Sequence, residues 1–188
     1  MQVRNISYFK GIDFDSYQKK DGHSFSSLKS GSFPLVPTEK MRIGTEVHNY
    51  LLEPENYKRE RIDIIKPIAR AAYDVIGSVL PFLDTELSVT ADFEHNGFIM
   101  PYRGRVDMVR AGKVVIDLKV SEVPLSKSIP YFGYDKQITG YCLATLSNIG
   151  IIIRVDPKTR RTERIVIKQD INFWEQKVLE LGIPIEFY

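Results

Sequence analysis

The sequence predicts a single α/β (α+β) domain in which a mixed central β-sheet is flanked by helices. Two segments with apolar residues at helical spacing come first, and three consecutive segments rich in branched and aromatic residues follow them. A further helix, a charged hairpin and a closing helix complete the order, which suits layers of helix packed on sheet. The 188 residues suffice for one well-buried core and are short for two independent domains.

Residues 1–40 are poor in regular pattern. Gly11, Gly22, Gly31, Pro34 and Pro37 act as breakers, and Ser26-Ser27-Leu28-Lys29 could start a short helix. An irregular segment, 1–40, packed on a core of residues 41–188 is therefore expected. The first helix should run from about Met41 to Leu52 and stop before Pro54, because a proline disfavours helical geometry in the residue ahead of it. A longer helix from about Lys58 to Val79 carries Ile62, Ile65, Ala69, Ala72 and Ile76 at helical spacing. Pro67, which has no N–H to donate, is expected to bend or divide it. Strands are expected at about Glu86–Glu94, Phe98–Val109 and Lys113–Val120. After them come a helix near Tyr131–Leu146 and a hairpin of Ile149–Val155 and Thr162–Lys168, which turns at Asp156-Pro157-Lys158-Thr159. The last helix, Ile171–Leu181, carries the only tryptophan, Trp174.

Strand alternation places Val114, Ile116, Leu118 and Val120 on one face, wholly apolar and expected in the core. Val115, Asp117 and Lys119 share the other. Asp107 joins Asp117 on that face only if the intervening loop has an odd number of residues. A two-residue turn at Ala111-Gly112 would set Asp107 opposite Ile116, whereas a three-residue loop containing Gly112 brings the aspartates together; the latter is expected. Two carboxylates with a lysine beside them are what a magnesium-dependent phosphodiester-cleaving site needs. The acids hold the hard cation, and the lysine meets the water or phosphate that it activates.

A net charge of +2 does not advertise polyanion binding, so any such site must be a local patch. The lone Cys142 excludes an intrachain disulfide framework and cysteine-ligated zinc or iron–sulfur centres within one chain. No apolar run approaches a membrane span of about 20 residues, and Met1-Gln2-Val3-Arg4-Asn5 lacks the features of a secretory signal. A reducing, cytoplasmic setting with no membrane partner is expected.

Taken singly, these residues have ordinary explanations. Asp-x-Lys is a common cross-strand surface pair, Gln137 and Tyr141 could be one polar face of a helix, and His48 could be a core-edge histidine. Order and co-occurrence carry the functional reading: a helical His, a strand acid, Gly-x-x-Asp, Asp-x-Lys and Gln-x-x-x-Tyr stand in one chain at compact spacing. The specific stretches are Gly44-Thr45-x-x-His48-x-x-Leu51-Leu52-x-Pro54-Glu55, Gly104-Arg105-Val106-Asp107, Asp117-Leu118-Lys119 and Gln137-x-x-x-Tyr141. Together they resemble the RecB-like branch of the PD-(D/E)xK nuclease superfamily, in particular RecE-type (exonuclease VIII-like) phage and prophage exonucleases, over about Ser26 to Tyr141.

The resemblance implies a restriction-endonuclease-like domain and a divalent-metal-dependent DNA exonuclease, acting 5′ to 3′ on double-stranded ends in phage-type recombination or repair. It implies metal ligation by His48, Asp107, Asp117 and the Leu118 backbone carbonyl, with Glu86 a candidate for the acid that opens the first strand. Lys119 would be the catalytic lysine, and Gln137 and Tyr141 would support the site and the nucleic-acid backbone. Mg2+ is the implied cofactor; Mn2+ should substitute, since a histidine ligand is softer than magnesium prefers. Arg103 and Arg105, in phase with Asp107, are candidate phosphate contacts, as are Arg160 and Arg161 in a basic stretch with Arg154, Lys158, Arg164 and Lys168. Duplex DNA ends, a single-strand annealing protein and a homo-oligomer are the implied partners, and a bacterial or phage-infected cell the implied setting. A structure-specific endonuclease, a single-strand nuclease, and a non-catalytic DNA-binding module of the same fold are the alternatives.

Overall fold

The computed structural model describes residues 1–12, 14–29, 37–57 and 61–187. Among these, one mixed sheet holds β1 (Gln2–Phe9), β2 (Asp84–His95), β3 (Phe98–Arg110), β4 (Val114–Val120), β5 (Ile149–Val155) and β6 (Thr162–Ile167) in that spatial order. A short β7 (Ile183–Pro184) pairs with the start of β3. Neighbours are antiparallel except β4 and β5, which run parallel. A parallel pair needs a crossover, and α5 (Leu125–Phe132) with α6 (Tyr134–Ala144) supplies it. The remaining helices are α1 (Phe14–Gln18), α2 (Phe25–Lys29), α3 (Glu39–Leu52), α4 (Ile62–Ile76) and α7 (Ile171–Leu181). This is the expected fold class, a helix-flanked mixed sheet in one domain.

The sheet separates two cores. On one side Ile116 and Leu118 of β4 meet Val47 and Leu52 of α3 and Ile65, Ala69 and Ile76 of α4, so the expected apolar face of β4 is buried. On the other, Val115 and Ile152 meet Ile138, Tyr141 and Cys142 of α6 and Trp174 and Val178 of α7. Trp174 stands edge-on to Phe93 and Tyr102, with centroids 5.4 and 5.2 Å away, and its indole N–H donates to the Lys136 carbonyl at 2.9 Å. Burial of the large ring and satisfaction of its one donor fix where α7 lies against α6.

The structure departs from the expected elements in three places, for identifiable reasons. The N-terminal residues contain the short helix expected near Ser26–Lys29, as α2, but also an eight-residue strand and a further short helix, α1, in place of irregular chain. β1 is an edge strand with few buried side chains, and a bulge between Arg4 and Ser7 blurs its alternation; its order comes from distant pairing with β2. Pro67 does not divide α4, because Ile65, Ile68, Ala69 and Ala72 anchor both sides of the proline in the core. The helix expected near Tyr131–Leu146 forms as α6, and an unexpected helix, α5, precedes it; Gly133, with φ +66, ends α5 and starts α6. The start of the second expected helix, around residues 58–60, and the breakers Gly31 and Pro34 lie outside the described residues.

Candidate metal centre

β3 and β4 are joined by the three-residue loop Ala111-Gly112-Lys113, with Met108 across from Ile116, Val109 from Val115 and Arg110 from Val114. Gly112 takes φ +73, open to glycine at little cost. Continued by one residue, this register sets Asp107 opposite Asp117, as the odd-length loop requires. The sheet is irregular at that level. Val106 packs toward α6 and α7 whereas Met108 packs toward α3 and α4. Strict alternation would put both on one face, so β3 turns over at Asp107. β2 adjusts in step: pairing passes from Thr85–Met108 to Leu87–Val106, and Glu86 between them has φ +47. Such a backbone costs a β-carbon-bearing residue roughly 1–3 kcal/mol, a strain that tends to sit at functional sites. Here it sets Glu86 beside Asp107.

His48 reaches the same place from α3. Gly44, Thr45 and His48 lie on one helix face and line a cavity of about 370 Å3 with Asn49, Glu53, Glu86, Arg105, Asp107 and Tyr141. His48 Nδ1 is 3.7 Å from both Glu86 Oε1 and Asp107 Oδ2. Its Nε2 donates to the Leu118 carbonyl at 2.9 Å, which leaves Nδ1 as the nitrogen facing the acids. The Leu118 N–H in turn donates to Asp107 Oδ2 at 2.7 Å. One imidazole nitrogen and two carboxylate oxygens thus lie within 4.8 Å of one another, and this group can hold a metal ion. Nitrogen and oxygen donors suit manganese or magnesium better than a thiophilic metal.

Asp117 is not in that group. It is 3% exposed, and its Oδ2 is 2.7 Å from Lys119 Nζ. Lys119 also donates to Gln137 Oε1 at 3.3 Å, and Gln137 Nε2 donates to the Tyr141 hydroxyl at 3.1 Å. Gln137 therefore turns toward Lys119. Tyr141 does so only through its hydroxyl, because its ring is 8% exposed and belongs to the core.

The electrostatics follow from close charges with little water. Burial alone would lower the His48 pKa, but Asp107 and Glu86 outweigh it and lift it to about 9. Burial, with Asp117 and Glu86 nearby, raises the Asp107 carboxyl to about 7 against the pull of His48 and Lys119. Burial works against ionised Glu86 too, yet His48 and Arg105 bring its pKa below the usual value. Burial opposes the Lys119 charge as well, but Asp117 and Asp107 reverse that and raise its pKa, so the ammonium is kept. Cys142 is a poor nucleophile, its thiol pushed up to about 12 by burial.

The arginines are placed otherwise than the alternation suggests. Arg105 lines the cavity but is engaged: Nε contacts Glu86 Oε2 at 2.8 Å and Nη2 contacts Glu53 Oε1 at 2.5 Å. Arg103 turns to the N-terminal segment and donates to the Gln18 and Lys20 carbonyls, the latter at 2.7 Å. Arg154 is 3% exposed between Asp156, Glu163 and the Ser121 carbonyl, so it belongs to a buried ion network. Arg160 and Arg161 are exposed at the turn between β5 and β6. Glu53 escaped notice because it fills the unspecified position between Leu52 and Pro54; no local signal marks a residue whose role is to hold an arginine 52 positions away.

Gly104 links the motifs. A β-carbon there would lie 2.8 Å from the Tyr102 hydroxyl and 3.0 Å from two carbons of the Tyr141 ring. Gly104→Ala is expected to destabilise by about 1–3 kcal/mol, the usual cost of overpacking, and to displace the Tyr141 hydroxyl from Gln137. Thermal unfolding tests this; a melting temperature equal to wild type would show that Tyr141 is free to move.

No family model matches the sequence, and no curated protein matches it. Among solved structures, the chain is similar to a candidate exonuclease from Eubacterium rectale, with a TM-score of 0.54 and 18% identity over 79% of this chain and 65% of that one. Others are a phage-related exonuclease from Haemophilus somnus 129PT (TM-score 0.37, 18% identity, 88% of this chain and 86% of that one) and SSO0001 (0.44, 18%, 82% and 78%). The chain shares the fold of the Eubacterium rectale protein and spans about 65% of its length. Among the described residues no helix is long and apolar enough to cross a membrane.

Proposed function

We propose that this chain is a divalent-metal-dependent DNA nuclease of the RecB-like PD-(D/E)xK branch, acting as a RecE-type exonuclease, 5′ to 3′ on duplex ends in phage-type recombination. The observation that carries the reading is the His48–Glu86–Asp107 group, set beside the chain of contacts Asp117–Lys119–Gln137–Tyr141. The fold shared with a candidate exonuclease supports it.

His48, Glu86 and Asp107 would hold Mg2+ or Mn2+, which when bound would polarise a phosphoryl oxygen and lower the pKa of an attacking water. The chain's own residues prepare the rest. The Leu118 carbonyl holds His48 in the orientation that aims Nδ1 at the acids. Arg105 keeps Glu86 ionised and fixed from its far oxygen. Lys119, held charged by Asp117 and steered by Gln137, presents an ammonium to a phosphate whose negative charge grows in the transition state. His48 and Asp107 both hold protons more tightly than usual, so a cation must displace protons to enter.

End-labelled linear duplex and covalently closed circles, incubated with Mg2+, Mn2+ or chelator, test the proposal. Linear DNA should shorten stepwise with either metal, circles should survive, and chelator should stop the reaction. Internal cuts in the circles would replace the exonuclease with an endonuclease, and intact DNA under every condition would reject the nuclease.

A further inference from the structure

One wall of the metal centre carries a cation. Glu86 Oε1 lies 3.7 Å from His48 Nδ1, while its other oxygen, Oε2, is 2.8 Å from Arg105 Nε. A guanidinium fixed on a metal ligand opposes metal entry, because it cancels the ligand's charge and repels an incoming dication. Glu53 meets that guanidinium from the other side, its Oε1 2.5 Å from Nη2. The three side chains are mostly enclosed, 13% exposed for Arg105, 17% for Glu53 and 12% for Glu86, so solvent screens their charges little. Glu53 itself stands outside the group of described residues that can hold a metal ion.

Backbone contacts set the place of Glu53. It caps the C-terminal end of α3, where its N–H donates to the Asn49 carbonyl at 3.1 Å and its own carbonyl accepts the Asn56 N–H at 2.8 Å. The Thr85 hydroxyl donates to the Leu52 carbonyl at 3.1 Å, which ties this end of α3 to β2 one residue ahead of Glu86. Glu53, Glu86, Arg105 and Asp107 thereby line one cavity. Glu86 and Asp107 bring two negative charges to it when ionised, and Arg105 removes one. With Glu53, three carboxylates and one guanidinium leave two, the number that a divalent cation neutralises; without it one remains. Asp117 and Lys119, paired and opposite in sign, leave this balance unchanged.

We propose that Glu53 is a positioning residue of the metal centre. By neutralising Arg105, it allows a cation to hold Glu86 in place while the site keeps the negative charge that a divalent ion requires. The inference rests on reading His48, Glu86 and Asp107 as the metal centre, and it adds a residue that touches no metal. An ordinary ion pair would contribute to stability alone; Glu53 should act on metal affinity.

Mn2+ binding without DNA, followed by the paramagnetic resonance of the free ion at one fixed pH, tests this. Glu53→Gln keeps the side-chain length and an oxygen for Arg105 to donate to, and removes only the charge. It should weaken Mn2+ binding about 10–100-fold, the usual cost of losing a partner behind a metal ligand. Glu53→Gln combined with Arg105→Met restores two net negative charges and should recover most of the affinity. Thermal melts in chelator show whether each variant is folded. Should the single variant not fold, the double variant, which leaves no arginine stranded, decides the matter by binding Mn2+ nearly as wild type does. Wild-type affinity in Glu53→Gln, whatever its melting temperature, would make Glu53 a structural residue and overturn the proposal. A folded double variant that has lost the affinity would overturn it too. Wild-type protein that binds no Mn2+ would instead reject the metal centre itself.

Discussion

Lys119→Met is expected to remove most cleavage and to destabilise the fold, two losses that a second substitution separates. In the proposed mechanism this ammonium is the cation that β4 presents to the phosphate, and deleting such a group typically costs about a hundredfold or more in rate. The same ammonium is the ion-pair partner of Asp117, whose side chain is only 4% exposed. Breaking a buried pair from one side strands the other charge and costs roughly 3–5 kcal/mol. Asp117→Asn combined with Lys119→Met leaves no stranded charge, so most of the stability should return while cleavage stays absent. Urea unfolding and end-labelled cleavage, measured on the single and double variants, give both quantities. Wild-type cleavage by a folded Lys119→Met protein would reduce Asp-x-Lys to a structural pair. A double variant no more stable than the single would show that Asp117 does not depend on Lys119.

Asp107→Asn should give the opposite combination, a stabler metal-free protein that neither binds metal nor cuts. The amide oxygen can still accept the Leu118 N–H, so the local hydrogen bond survives, but a neutral amide is a poor ligand for a hard dication. Stability changes because the Asp107 carboxyl titrates at about 7 in the folded chain, above its ordinary value of 3.8. A raised carboxylate pKa means that the folded state favours the protonated form. The resulting stability is fully present below pH 3.8 and lost as pH rises through 7. Asparagine mimics that neutral form at every pH, so its advantage should be large at pH 8, shrink through pH 7 and vanish near pH 4. Metal should raise the melting temperature of wild type by mass action and leave the variant unmoved. A variant less stable than wild type at pH 8, or one that metal still stabilises, would remove Asp107 from the centre of the site.

Much of this was legible in the residues. The alternation of Val114 to Val120 separated a buried face from a chemical one, and the position of Gly112 favoured a three-residue loop that sets Asp107 and Asp117 level. The spacing of Gln137 and Tyr141 identified a single helix face. Periodicity and turn chemistry are local properties, so a linear string carries them.

Tertiary structure decided the rest. Glu86 stood in the sequence as a candidate with no motif around it, named only through the resemblance; its left-handed backbone, and the turnover of β3 at Asp107, place it rather than Asp117 in the group that could hold a metal ion. Arg105 reads as a phosphate contact until Glu53 and Glu86 are seen on either side of it. Strand β1 exists through its pairing with β2, about 85 residues away along the chain. The reason is common to all three. Which charge neutralises which, and which edge finds which strand, depends on residues far apart in the chain that meet only once the sheet has closed. The sequence by itself determined most of the elements and the kinds of chemistry they carry; packing decided the edge strand β1 and which side chains share the low-dielectric space where a metal ion would bind.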